Sequence, residues 1–253
     1  MSKKVLITAG ASGIGKAMAN AFNKKDYDIW IVDVDKAMLR DCPKSWNSTQ
    51  LDVRDEKGVK KLFENIKSTW GKIDVICANA GIKGPTAPIE DISLNDWKEC
   101  LDINLDGVFL FAKYAAPLFK SQKNGSFIIT SSTAGLYGFT QRSPYVTSKW
   151  GVIGLMKTLA IEFGSFNVRV NAICPGSVEG DRLERVIEAE MNAKNMTKKE
   201  IYAAYAEGTS MKTLIDSRDI ANMAVFLSSK NSRFVSGQII AVDGHTEVPD
   251  PKF

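Results

Sequence analysis

The sequence predicts an α/β fold: a doubly wound, parallel, seven-stranded sheet in a single domain. Three observations carry this. Six short runs, at residues 5–8, 29–33, 73–78, 127–131, 168–174 and 238–243, are rich in Val and Ile and apolar at consecutive positions, as strands covered on both faces must be. Helical patterns at about 14–24, 56–70, 94–119, 145–163 and 217–227 fall between them, and strict alternation of strand and helix implies right-handed crossovers and a parallel sheet. No repeat, low-complexity segment or Gly/Ser linker divides the 253 residues, a length that suits one large domain with a core of its own.

Taken in order, the first strand runs into a glycine-rich turn, Thr8-Ala9-Gly10-Ala11-Ser12-Gly13-Ile14-Gly15, that opens the first helix. Unpaired N–H groups and the helix dipole at such a turn favour an anion such as a pyrophosphate. The second strand ends on Asp33, where a carboxylate can accept both ribose hydroxyls of an adenosine and would repel a 2′-phosphate; a cap for the next helix fits the position equally well. The third strand, at 49–53, is the weakest. After the sixth, residues 179–212 break the rhythm with two charged helical patterns, 182–193 and 198–207, where a short loop would suffice. Insertions at the carboxyl ends of strands tend to be lids or binding loops, and this one is expected to be mobile and to close over the site.

Composition narrows the chemistry. Lys plus Arg is 33 against 29 Asp plus Glu, a net charge of +4 spread as scattered doublets, so no basic face for nucleic acid is expected. His245 is the only histidine, and the four cysteines, Cys42, Cys77, Cys100 and Cys174, form no CxxC pair. No metal site is therefore expected, and a Ser-His-Asp triad could draw only on His245. The cysteine pattern, and a start without an apolar leader or bilayer-spanning stretch, predict reduced, partly buried thiols in a cytoplasmic protein without a membrane partner.

Downstream motifs carry a resemblance. Tyr145-Val146-Thr147-Ser148-Lys149 reads Tyr-x-x-x-Lys, Ser132 lies thirteen residues before Tyr145, Asn79-Ala80-Gly81 follows the fourth strand, Asn104 lies in the long helical pattern, Pro175-Gly176 follows the sixth strand, and Val242-Asp243-Gly244 closes the seventh. In this order and spacing the chain resembles the single-domain short-chain dehydrogenase/reductase family over nearly its whole length. The resemblance implies a Rossmann-type fold, a nicotinamide cofactor, and an alcohol or carbonyl substrate. It assigns Tyr145 as general acid/base, Lys149 as its tuner and a contact of the nicotinamide ribose, Ser132 as the group that positions substrate (with Ser131 a rival), and Asn104 as the holder of a relay water. Tyr145 and Lys149 are one helical turn apart, and an ammonium beside a phenol favours the phenolate. For the cofactor it implies Gly10, Ser12, Gly13, Ile14, Gly15 and Asp33 at the phosphates and ribose, Asp52 and Val53 at the adenine, Asn79, Ala80 and Gly81 beneath the ribose, and Pro175, Gly176 and Val178 at the nicotinamide. It also implies a homo-oligomer, a tetramer, with Leu105, Phe109, Trp150, Ile153 and Met156 partly lining an interface.

Two departures stand out. The family's first glycine falls on Ala9, tolerable if the backbone there keeps negative φ. A threonine that often holds the carboxamide is replaced by Gly180. Substrate clues are Gln141 and Arg142 before Tyr145, and Arg182 and Arg185 in the insertion; Arg suits an oxyanion, but Glu179, Asp181, Glu184 and Glu188 surround the latter pair and favour a solvated, salt-bridged helix start. Asp33, Val34 and the lack of a cation at Ala11 or Ser12 favour NAD over NADP. The alternatives are an NADPH-dependent carbonyl or 3-oxoacyl reductase and an NAD-binding regulator without turnover. A sugar-nucleotide epimerase would need a larger C-terminal domain.

Overall fold

A computed structural model describes residues 2–249, without the side chains of Arg182 and residues 192–194. Seven parallel strands, β1 (Lys4–Thr8), β2 (Asp28–Asp33), β3 (Asn47–Gln50), β4 (Val75–Ala78), β5 (Gly125–Thr130), β6 (Val168–Pro175) and β7 (Ile239–Val242), form one sheet in the order β3-β2-β1-β4-β5-β6-β7. The helices are α1 (Gly13–Asn23), α2 (Lys36–Arg40), α3 (Glu56–Trp70), α4 (Leu94–Leu101), α5 (Gly107–Gln122), α6 (Ser143–Gly164), α7 (Asp181–Lys194), α8 (Lys198–Glu207) and α9 (Ser217–Ser228).

Both faces of the sheet are covered, and the period-two alternation of strand side chains separates two cores. Leu6, Trp30, Val32, Ile76, Phe127, Ile129 and Val170 pack with Leu62 and Phe63 of α3, Phe111 of α5 and Met156 of α6. Val5, Ile7, Ile29, Ile31, Val75, Cys77 and Ile128 point the other way, onto Met18 and Phe22 of α1 and Ile220 and Leu227 of α9. Consecutive apolar positions in the strands thus reflect a sheet with no solvated face. All four cysteines are buried and free.

The helix ends follow local chemistry. Helix α3 stops at Gly71, whose φ of 68° lets its N–H reach back to Lys67 O. Capping boxes start α8 (Thr197 with Glu200) and α9 (Asp216 with Asp219). The short α2, absent from the sequence reading, is nucleated by Asp35, whose carboxylate accepts from Ala37 and Met38 N–H; five residues are too few to show a period.

Three elements depart from expectation. The third strand is Asn47–Gln50 rather than 49–53: Trp30 pairs with Asn47, while Leu51 and Val53 leave the ladder and are buried against α3 and α5. The long helix is not continuous, because a π-helical turn, Asp102–Asp106, separates α4 from α5. Ile153 and Met156 are buried within the subunit, so they are not available to an interface, whereas Phe109 and Trp150 are exposed and Leu105 is half-buried.

Strain and close packing coincide at the first turn. Ala9 has φ of 49°, so the condition of negative φ is not met and a residue with a methyl takes left-handed backbone. Gly15 has no room for one: a Cβ there would lie 2.0 Å from Ala9 O. Left-handed backbone costs a non-glycine residue about 1–2 kcal/mol, and glycine's extra freedom in the unfolded chain returns roughly 0.4–1 kcal/mol of that. Ala9→Gly is therefore expected to stabilise the protein by up to about 1 kcal/mol, read as a melting temperature raised by roughly 2–4 °C; a lower melting temperature would show that the Ala9 methyl has a packing role. Gly15→Ala should do the opposite, by about 2–3 kcal/mol, since backbone must move to admit the methyl; chemical denaturation measures it, and unchanged stability would contradict the contact.

Candidate active site

The strand order reverses between β1 and β4, so the loops leaving their carboxyl ends part toward opposite faces and leave a crevice. One hydroxyl bridges it: Thr8 Oγ1 accepts N–H bonds from Asn79 (2.9 Å) and Ala80 (2.8 Å), and the Asn79 amide donates back to Thr8 O (3.2 Å). Gly10 N–H bonds Val32 O at 3.2 Å, drawing the glycine turn over β2 as well. Helix α1 then begins with no side-chain cap and no acidic residue in its first turn. An uncapped, glycine-lined helix start suits an anion brought close to the backbone.

Asp33 is held at the rim of this turn. Its carboxylate oxygens accept from Ala11 N–H (3.2 Å) and Asp35 N–H (3.1 Å). The next helix is capped by Asp35 instead, so the two sequence readings of Asp33 separate: its charge faces the glycine turn and is not a helix cap. Val34 beside it is exposed and brings no cation. Asp52 is gripped by the Arg54 guanidinium, which holds its carboxyl below the usual range, and Val53 is buried against Gly107.

A cleft of about 360 Å³ opens from the turn across the carboxyl ends of the strands. Of the residues expected at the site, Ser12, Gly13, Ile14, Asn79, Gly81, Ser132, Tyr145, Lys149, Pro175, Gly176 and Val178 line it, and so does Ala9. Gly10, Gly15, Asp33, Asp52, Val53, Ala80 and Asn104 are not among its lining residues.

Lys149 is 2 % exposed, a depth at which its charge is poorly screened. Its ammonium donates to Thr130 O at 2.9 Å and lies 5.7 Å from the centre of the Tyr145 ring. Ser131 donates to the Lys149 carbonyl (3.0 Å) and so braces α6 from behind. Ser132 begins the next turn, its Oγ accepting from Ala134 N–H at 3.1 Å. The two serines thereby divide their tasks, and Ser132 keeps a hydroxyl hydrogen to offer the cleft.

Asn104 is buried beside this group. Its Oδ1 accepts from Ile82 N–H (2.7 Å), and its Nδ2 donates to Ile82 O (3.1 Å) and Ser148 Oγ (3.0 Å). The amide clamps the loop after β4 to α6, so its side chain braces the site beside Lys149. The π-helical turn aims it there. Gly81 lies between Asn104 and Lys149: a Cβ would meet Oδ1 at 3.0 Å and Nζ at 3.4 Å.

The substrate residues fare unevenly. Gln141 does not line the cleft; its backbone is left-handed (φ 60°) and its carbonyl accepts from Ala87 N–H. Arg142 does line it, buried, with its guanidinium carbon 5.0 Å from the Tyr145 ring centre. The side chain of Arg182 lies outside the described residues. The insertion itself covers one side through Leu183, Arg185, Val186 and Tyr205, and a small apolar cluster of Leu183, Ile187 and Ile201 joins its helices. Thr8, Thr130, Ser148, Glu190 and Tyr205 were not anticipated. Ser148 stands inside the Tyr-x-x-x-Lys motif and was findable; the others carry no local signal.

Comparison with known proteins agrees with this geometry. A family model described as Enoyl-(Acyl carrier protein) reductase matches residues 8–245. Borneol dehydrogenase of Lavandula x intermedia is 33% identical, covering 97% of this chain and 91% of that protein. The 3-oxoacyl-[acyl-carrier-protein] reductase FabG of Thermotoga maritima is 32% identical over 96% of each. Among solved structures, an NAD+-bound xylitol dehydrogenase superposes with a TM-score of 0.93 at 28% identity, covering 96% of this chain and 98% of that one. ElxO with NADP bound reaches 0.87 at 29%, with the same coverage. With a family model matched over residues 8–245 and relatives above 30% identity along nearly the whole chain, the chain belongs to the short-chain dehydrogenase/reductase family.

Proposed function

We propose that the protein is an NAD(H)-dependent oxidoreductase that moves a hydride between nicotinamide and a small secondary alcohol or ketone. The observation that carries this is the convergence of Ser132, Tyr145 and Lys149 on one cleft that also exposes the glycine turn and Pro175-Gly176. The cleft fits the dinucleotide. The uncapped start of α1 and the glycines around it suit the pyrophosphate, Asp33 suits the adenosine ribose, and Asn79 and Gly81 flank the path to Lys149. When bound, the nicotinamide supplies or takes up the hydride.

The chain's own residues manage the proton. Tyr145 exchanges it with the substrate oxygen, and the buried Lys149 ammonium favours the phenolate form. Ser132 donates its hydroxyl hydrogen to the same oxygen and fixes its direction. Asn104, by gripping both backbone groups of Ile82, keeps the floor beside Lys149 in place. The insertion at 179–212 acts as the substrate cover. Phe109 and Trp150, exposed on neighbouring helices, are the apolar groups of a homo-oligomer contact.

Removing the phenol hydroxyl tests the assignment. Tyr145→Phe should lower turnover by about 10²-fold or more while NADH still binds, as followed by its fluorescence; near-normal kcat would sink the mechanism. Cofactor choice tests Asp33. A 2′-phosphate would remove a charge-assisted hydrogen bond and set a second negative group against the carboxylate, together about 2–4 kcal/mol. Efficiency with NAD should exceed that with NADP by roughly 30- to 1000-fold, and Asp33→Ala with Val34→Arg should narrow or reverse the ratio. Equal efficiency in the unmodified protein would mean that Asp33 only braces the turn.

A further inference from the structure

Near Tyr145, Arg142 and Arg185 line the cleft and Lys83 stands behind Arg142, three cations from separate elements. Arg142 comes from the loop before α6, Lys83 from the loop after β4, and Arg185 from α7. They are linked through backbone: Arg142 Nη2 donates to Lys83 O (3.1 Å), and Lys83 Nζ donates to Arg185 O (3.0 Å). Arg142 is the deepest, 7 % exposed, and its Nε is buried without a hydrogen-bond partner. Burial, then the charges of Arg142 and Arg185, push the Lys83 ammonium below its usual range. Arg142 and Lys83 thus lie within one another's field, with the exposed Arg185 adding to it.

Carboxylates offset part of this charge. Glu190 of α7, itself buried, pairs with Arg142 Nη1 at 3.8 Å through the same Oε1 that accepts from Tyr205 OH at 2.7 Å, and its charge also acts on Lys83. Glu188 offsets Lys83 only in part. Glu179 and Asp181 also line the cleft, and Asp181 stands one helical turn before Arg185 on α7. The guanidinium is thus held close to Tyr145, paired with Glu190 through Nη1 at 3.8 Å and with its Nε donor unspent. A guanidinium in that condition is matched to an oxyanion.

We infer that the substrate carries a small terminal oxyanion a few bonds from its carbinol carbon, and that Arg142, backed by Lys83 and Arg185, receives it. The inference rests on the oxidoreductase reading and names its substrate class. The guanidinium lies 5.0 Å from the Tyr145 ring centre, so a molecule spanning both groups must be short. Carboxylate, sulfonate and phosphate monoester share the required chemistry. Glu179 and Asp181, which also line the cleft, disfavour a second anionic group on the same molecule.

Matched pairs test this with the whole protein and NAD. Short hydroxy acids are compared with their amides, hydroxyalkyl sulfonates with their sulfonamides, and hydroxyalkyl phosphates with the parent diols. At least one anionic member should exceed its neutral partner in kcat/KM by about tenfold or more, the least expected of one charge-assisted hydrogen bond, and the pair that does so identifies the oxyanion. Arg142→Met should collapse that ratio chiefly through KM, Arg142→Lys should restore part of it, and Arg185→Gln should lower it less. Retained NADH binding certifies the fold of each variant, and Arg185→Gln carries the comparison if Arg142→Met does not fold. Equal efficiency within every pair, or an equal loss on both members in Arg142→Met, would overturn the subsite. If no alcohol is oxidised, the redox reading itself fails. The subsite is then judged by whether acetate, methanesulfonate or phosphate raises the melting temperature of the NADH-saturated protein. Protection lost in Arg142→Met sustains it, and absent or unchanged protection refutes it.

Discussion

The site depends on the hydroxyl of Thr8. At the carboxyl ends of β1 and β4 the backbone turns to opposite faces of the sheet, and the gap between them would leave buried N–H groups unpaired. Thr8 Oγ1 accepts two of them, from Asn79 and Ala80, and so fixes how far the crevice opens. The glycine turn on one side and the loop carrying Gly81 and Ile82 on the other take their positions from that bridge. Asn104 then ties Ile82 to Ser148 on α6, the helix that bears Tyr145 and Lys149. A single chain of hydrogen bonds therefore runs from the first strand to the groups proposed to move the proton.

Much of this was legible in the sequence because it repeats or alternates. Strands buried on both faces announce themselves as unbroken apolar runs, and the bounds of α3 follow from a charged start and the glycine after Trp70. What was not legible is set by contacts between distant residues. Asn47–Gln50 forms the third strand because Trp30 offers it a ladder partner, although Leu51 and Val53 look more strand-like. The helix from 94 onward reads as continuous because apolar pattern does not distinguish a π-helical turn from an α-helical one.

The site shows the same division. Residue types at fixed spacing located Tyr145, Lys149 and Ser132, and all three line the cleft. The choice between Ser131 and Ser132 required knowing that Ser131 faces the Lys149 carbonyl. The clamp that Asn104 makes was not legible, since Ile82 is remote in sequence and has no distinguishing side chain. The Arg142, Glu190 and Tyr205 group was invisible for a stronger reason. Its members come from a loop and two helices that meet only in the folded chain, and Glu190 reads as one more charge on a solvated helix until its burial is seen.

The π-helical turn has an evolutionary consequence. Such a turn is an α-helix holding one residue too many, and each α-helical residue advances the helix by about 100°. Loss of any one residue from 102–106 would let α4 run into α5 as one regular rod, a change favourable to the helix alone. The same loss would rotate everything before it, carrying Asn104 or its replacement off Ile82. Selection for local regularity and selection for the clamp therefore pull in opposite directions on chain length at this point. A lineage that kept the fold but gave up the chemistry would be free to shorten here, so the length of this helix records whether the active-site floor is still in use.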